Sequence, residues 1–304
     1  MVAWAGIAGV LVFFFGVLRV FQGGTASVAE WSWAAWNPLN HQEHAKFLLP
    51  IAGLLLWWHR ARLSAARREP DDLGLVPLMA GIALYLLGVR AAQPRLALLA
   101  LPLLLWGGTL FLWGRGVARV CRFPFALLVL LVPVGSYVQG TVSLQLLVTG
   151  ACNLLAPLIG LQIEAAGTTI RSLDGAFHFE IAEGCSGIRS LMAMVTVTAL
   201  YVHFAQPMVW RKGAVLAGSV LFALVGNIAR IFSVLVVARI ASPQWAAGLY
   251  HDYSDLVFFP VAVAAMAGFN KLLSPRDSTA TSGAQVALAK DSGAGASRSE
   301  RYDY

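Results

Sequence analysis

Apolar runs long enough to cross a bilayer as a helix, about 17 to 25 residues, recur eight times along this 304-residue chain. They lie near 2–21, 45–58, 73–89, 96–113, 125–144, 185–205, 213–240 and 256–273. The second is short and starts at the interface. Only 12% of residues are charged, about half the share of a soluble domain, and the mean hydropathy is +0.70. The fold class implied is an all-α polytopic membrane protein, so the lipid bilayer is the first partner. The start, residues 2–20, has no basic residue before Arg19 and no small-residue cleavage pattern, so it reads as an uncleaved first span. Trp31, Trp33 and Trp36 with Asn37-Pro38 read as an interfacial aromatic belt.

The net charge of +7 does not point to nucleic acid. Arginine and lysine gather in short loops between apolar runs, not on one face interleaved with aromatics. Arg60, Arg62, Arg67 and Arg68 follow the second run, Arg115, Arg119 and Arg122 the fourth, Arg211 and Lys212 the sixth, and Lys271 and Arg276 the eighth. By the positive-inside rule every even-numbered span ends in the cytoplasm, and both termini face inward. The opposite side carries fewer cations, chiefly Arg19, Lys46, Arg90, Arg95 and Arg171. The placement expected is the cytoplasmic (inner) membrane, with the chain crossing it many times.

Two stretches depart from simple spans. Residues 142–160 are apolar but broken by Gly150, Pro157 and Gly160, the pattern of a re-entrant or interfacial segment. Residues 161–181 alternate polar and apolar groups in Gln162-Ile163-Glu164 and in Phe177-His178-Phe179-Glu180-Ile181, with Asp174-Gly175 between. That is a β-hairpin signal, outside the membrane and directly before the sixth span. The organisation is one transmembrane domain over 1–273, its chemistry within about 115–260, and a Ser-, Gly- and charge-rich tail over 274–304 that composition marks as disordered and cytoplasmic. No internal repeat is evident, which weakens a transporter built from duplicated halves.

Three ionisable groups stand where apolar runs would exclude them. Cys185 lies in Glu183-Gly184-Cys185-Ser186-Gly187-Ile188-Arg189, Arg230 in Gly226-Asn227-Ile228-Ala229-Arg230, and His251 in Leu249-Tyr250-His251-Asp252-Tyr253. Such groups within membrane segments are costly and point to function. A thiol, a guanidinium and an imidazole together can make a cysteine acyl-transfer site: the imidazole takes the thiol proton, the thiolate attacks a carbonyl and the guanidinium stabilises the oxyanion. Cys185 sits between small residues at an expected helix N-terminus, where the dipole depresses a thiol pKa. Cys152 has the surroundings of a packed hydrophobe, and Cys121 those of a packed thiol or a lipidation site at a boundary. The three cysteines have no C-x-x-C spacing, so neither a disulfide framework nor a thiolate zinc site is indicated.

Arg230 cannot shed its proton and demands a partner such as a carboxylate, backbone carbonyls or an oxyanion; Asn227 shares its helical face. Arg189, four residues after Cys185, falls on the thiol's own face and is a second candidate for its electrostatic partner, with structural support the favoured role. His41 and His44 have H-x-x-H spacing, but no third ligand is evident and no metal or other cofactor is expected. His59, His178 and His203 read as boundary or loop residues.

At Ala182-Glu183-Gly184-Cys185-Ser186-Gly187-Ile188-Arg189, Asn227-Ile228-Ala229-Arg230-Ile231, His251 and, more loosely, Arg122-Phe123-Pro124, the chain resembles the exosortase and archaeosortase family of membrane cysteine transpeptidases. The resemblance covers roughly 115–259. It implies an enzyme that cleaves the C-terminal sorting tail of exported proteins, a tail made of a Pro-Glu-Pro-like motif, a transmembrane helix and a basic cluster. It also implies Cys185 as nucleophile, Arg230 as transition-state stabiliser and His251 as proton carrier; Asn227, Arg189 and Ser186 are the supporting candidates. The family often has glycine four residues after the histidine, where this chain has Asp255. Two other readings stand beside this one. Gly184-Cys185-Ser186-Gly187 also spells the G-x-S-G of a rhomboid-like serine protease, although the glycine-spaced motif expected after the histidine is missing. A non-enzymatic channel, carrier or scaffold accounts for the hydropathy but leaves the Cys, Arg and His to coincidence.

Overall fold

A run of apolar residues in lipid must satisfy its own backbone hydrogen bonds, and the helix is the single-segment way to do so. The computed structural model describes residues 2–37, 40, 42–133, 138–181, 187–206 and 208–273. Its helices are α1 (Val2–Leu11, continued by a π-helical turn Val12–Val17), α2 (Val28–Ala35), α3 (Ala45–Trp58), α4 (Arg60–Ala65), α5 (Leu75–Arg90), α6 (Pro94–Leu127), α7 (Val138–Leu155), α8 (Ile188–Ala205), α9 (Val209–Ile240), α10 (Pro243–Trp245) and α11 (His251–Leu273). Among the described residues six segments are long and apolar enough to cross a membrane: Asp72–Arg90, Pro94–Leu131, Val142–Ile159, Ile188–Ala205, Val209–Ile240 and Tyr253–Leu273. Gly6–Val17 and Ala45–Trp58 are apolar helices of shorter length. The protein is a multi-pass membrane protein.

The expected fourth run and the start of the fifth share one element; the end of the fifth falls in α7, and Val142–Ile159, which read as re-entrant or interfacial, is itself a helical stretch long and apolar enough to cross a membrane. α6 carries on through Arg115, Arg119 and Arg122 to a 3₁₀ turn at Leu128–Leu131, but its helical backbone is broken at Gly114 (φ 77, ψ −175). A Cβ at Gly114 would lie 1.7 Å from the Glu69 carbonyl oxygen, so only glycine admits the loop after α4 at this point. The aromatic belt also differs from expectation. Trp33 is exposed, but Trp36 is buried and its indole N–H donates to the Leu131 carbonyl at 2.9 Å, which ties the end of α2 to the end of α6. Its ring has one apolar body and one donor, and the donor has found a buried acceptor.

Residues 161–181 form three antiparallel strands where the alternation suggested two. β1 (Ile163–Ala166), β2 (Thr169–Ser172) and β3 (His178–Glu180) pair in the order β1-β2-β3. The register sets Ile163 opposite Ser172 and Ile170 opposite Phe179. Gly167 at φ 62 turns β1 into β2, and Gly175 at φ 75 turns β2 toward β3. Asp174 shapes the second turn. It accepts from the Ser172 hydroxyl and the Ala176 N–H and pairs with Arg239 at 3.3 Å, and these contacts hold its carboxyl below the usual carboxylate range.

One apolar cluster joins this sheet to the helices that flank it. Ile170, Phe177 and Ile181 pack with Val148, Cys152 and Ala156 at the end of α7 and with Ile231, Val234, Leu235 and Ala238 near the end of α9. Cys152 is buried there and Cys121 is buried in the α3–α6 core, so both are packed thiols. α8, α9 and α11 run alternately up and down. Gln206, after α8, donates to Asn270 near the end of α11 at 2.6 Å, whereas the start of α11 meets the far end of α9. The two ends of α8 therefore have different surroundings. Gly187 and Arg189 at its start meet Asn227 and Glu43; His203 at its finish stacks on Phe123 and feels the charges of Lys212 and Arg62.

Candidate functional site

α9 brings its small and polar residues to one face. Arg230 follows Gly226 by four residues and Asn227 by three, so each shares its side of the helix. A Cβ added at Gly226 would come within 3.2 Å of the Ala262 side chain, so α9 and α11 cross closely there. That closeness buries the guanidinium of Arg230 to 4% exposure and puts its Nη1 2.5 Å from the Asp255 carboxylate on α11. The pair satisfies the demand of a permanently charged group for a counter-ion. Asp255 occupies the position where the family's glycine was expected, and the sequence signal for its role was available: an arginine in an apolar run and a carboxylate in the next one.

Only one side of the guanidinium is used. Nε and Nη2 are buried and have no hydrogen-bond partner among the described residues. These two nitrogens lie on the same edge of the planar group and form its side-on fork. The cavity against Arg230, lined by Ser190, Met194, Asn227, Asp255 and Phe259 among others, holds about 10 Å³, near the smallest space that admits one water oxygen.

The backbone of Arg230 is held as well. Its carbonyl accepts from the Ser233 hydroxyl at 2.6 Å, and Ser233 Oγ accepts from the Tyr250 hydroxyl at 3.0 Å. Tyr250 and Asp255 stand on either side of His251 in the chain, so both flanks of the histidine are fastened to the same turn of α9. His251 itself is half-buried and lines a groove of about 190 Å³ with Phe179, Glu180 and Ile181 of the sheet and Ile231, Val234 and Leu235 of α9.

Cys185 and Ser186 lie outside the described residues, but the chain on each side of them is described. Ile181, at the end of β3, borders the groove of His251. Gly187 has φ 84 and sits against Asn227, where a Cβ would meet the amide Nδ2 at 2.6 Å. α8 begins only at Ile188. The helix expected to run from 185 is described from Ile188, after the left-handed Gly187; the expected sharing of a helix face by Arg189 and Cys185 lies outside the described residues. Arg189 faces Glu43 at 3.7 Å, both half-exposed, and ties the start of α8 to the segment before α3.

The family model for transmembrane exosortases matches residues 36–268. The chain belongs to the transmembrane exosortase family. The match takes in Cys185, Asn227, Arg230 and His251, and it reaches well beyond the 115–259 stretch whose motifs carry the resemblance, back through α3, α5 and the first half of α6. Comparison with curated proteins and with solved structures gives no match.

Proposed function

We propose that this exosortase is a membrane cysteine transpeptidase in which Cys185 is the nucleophile, His251 the proton carrier and Arg230 the oxyanion donor. One observation supports the reading: the described residues on either side of 182–186 lie at the site, Ile181 beside the groove of His251 and Gly187 against Asn227, one turn from Arg230. With consecutive Cα atoms about 3.8 Å apart, covalent connection alone keeps Cys185 close to both groups.

In the first step the Cys185 Sγ–H bond gives its proton to His251 and the thiolate attacks the scissile carbonyl of the substrate. The developing oxyanion takes the Nε–Nη2 edge of Arg230, the side that Asp255 leaves unused. Collapse of the tetrahedral intermediate breaks the C–N bond. The departing amine takes the proton back from His251, and the exported portion stays on Cys185 as a thioester. Attack by water or an amine acceptor then restores the thiol. Asn227 supports the site by seating Gly187; Arg189 supports it by fixing the start of α8. The substrates are exported proteins whose C-terminal tail joins a short motif, a transmembrane helix and a basic cluster.

The test is the covalent intermediate itself. Membranes containing the protein and its precursor are expected to yield a substrate adduct at Cys185, found by mass spectrometry and released by neutral hydroxylamine, as thioesters are. An adduct on Ser186, or one that resists hydroxylamine, refutes the cysteine mechanism.

Sidedness has its own support. Arg211 and Lys212 open α9, and Arg230 follows Arg211 by 19 residues, about 28 Å of helix against a hydrocarbon core of about 30 Å. With the basic loops cytoplasmic, Arg230 comes to the extracytoplasmic boundary and the sheet lies outside it, while both termini lie in the cytoplasm of the inner membrane. In a background lacking the three native cysteines, Leu173→Cys, at a 61%-exposed position in the turn after β2, is expected to react with an impermeant maleimide in intact cells. Ser64→Cys, exposed in α4, is expected to react only after the membrane is opened. Labelling in the opposite order inverts the topology and removes the site from its substrates.

A further inference from the structure

A transpeptidase must hold the bond it cuts, and the described side chains around Arg230 leave room for little more than one atom. The sheet offers the missing surface. In β3 the ladder to β2 uses every second residue: the Ser172 N–H donates to the Phe177 carbonyl at 3.0 Å, Ile170 pairs with Phe179, and the Ile181 N–H donates to Thr168 at 2.8 Å. By the alternation of an antiparallel pair, the N–H and C=O groups of His178 and Glu180 point to the other edge. That edge has no strand on it, and among the described residues nothing hydrogen-bonds to those groups. The opposite edge of the sheet is different: α7 packs against β1, and the Thr149 hydroxyl donates to the Gly167 carbonyl.

We infer that the open edge of β3 is the substrate-binding strand, on which an extended stretch of the exported protein next to its scissile bond adds as a fourth strand. This rests on the transpeptidase reading above and supplies its substrate site. Three features favour that occupant. An unpaired strand edge is a template for extended main chain. The groove beside it is apolar, from Phe179, Ile181, Ile231 and Val234, and ends at His251, so alternate side chains of an added strand have a pocket. Ile181, next after β3, is four residues from Cys185 in sequence, so a peptide paired with β3 lies within about 15 Å of chain from the proposed nucleophile. Main-chain pairing provides affinity for an unfolded linker whatever its sequence, and the groove selects among side chains.

Proline tests this because it deletes one N–H. In Glu180→Pro the lost donor is the outward one, so the ladder to β2 keeps its bonds and Phe179, already extended, tolerates the following proline. The probe is the native precursor that accumulates in cells carrying Cys185→Ala, purified and presented to the full-length enzyme in detergent. Glu180→Pro is expected to raise the half-saturating precursor concentration about tenfold, with the maximal rate within about threefold, and to do so far more than Glu180→Ala, which keeps the N–H. Equal effects of the two substitutions, or none, overturn the strand-addition site while leaving the transpeptidase intact. If Cys185→Ala cells accumulate no precursor, the transpeptidase reading fails and takes this site with it. A second measurement does not depend on how the proline variant folds. Synthetic peptides spanning the cleavage site, each N-methylated at one backbone position, should compete with the precursor in a period of two along the sequence. A flat profile overturns the proposal.

Discussion

Cys185→Ala abolishes tail processing, by about 10⁴-fold or more, whereas Ser186→Ala keeps most of it: this is the result expected if the thiol is the nucleophile. The comparison is informative because the two residues are neighbours in one short segment, so a general disturbance of that segment affects both variants. If the thiol is the nucleophile, alanine at 185 removes the atom that forms the acyl bond, and neither described cysteine is placed to replace it. Cys121 and Cys152 are buried in separate apolar clusters. Precursor and product are distinguished by immunoblot of the exported protein, with enzyme abundance followed in parallel. Loss in Ser186→Ala with activity in Cys185→Ala transfers the nucleophile to serine and brings back the rhomboid-like reading.

Hydropathy made the membrane class plain from the sequence, because a span is a local property of about twenty residues. Features that depend on distant parts of the chain were less legible. The break at Gly114 answers to the approach of Glu69, some 45 residues earlier, and nothing beside Gly114 announces it. The middle strand Thr169–Ser172 was legible in principle, since Thr169-Ile170-Arg171-Ser172 alternates and Ile170 is fully buried. The Asp174-Gly175 turn drew the pairing to the outer segments instead. At the site, the three chemical groups stood out as interruptions of apolar runs, and the demand of Arg230 for a partner, a carboxylate among the candidates, followed from its fixed charge. Which carboxylate answered it did not follow. Asp255 looked like a departure from the family pattern, and only the crossing of α9 and α11 at Gly226 and Ala262 makes it the partner. The helix start differed for a local reason: Gly187 is left-handed, a backbone state that glycine admits, and the described helix begins only after it at Ile188.

Arg230→Lys provides the sharpest test of the oxyanion role. The lysine Nζ keeps the positive charge and can still reach toward Asp255, so the buried ion pair between α9 and α11 has a replacement and insertion should be normal. What lysine lacks is the second edge: a point charge drawn to Asp255 presents no Nε–Nη2 fork to an oxyanion. Loss of one well-placed oxyanion donor lowers the rate about 100- to 1000-fold, and this is the fall expected in the rate of precursor conversion by Arg230→Lys. Asp255→Asn should do less, about tenfold, because it leaves the fork present but no longer held from behind. If Asp255 acts through Arg230, adding Asp255→Asn to Arg230→Lys costs little further rate, whereas independent roles would multiply. Pulse-chase half-lives of the precursor in the four strains give both comparisons. Near-wild-type conversion in Arg230→Lys removes Arg230 from the transition state, and multiplying losses in the double variant separate Asp255 from it.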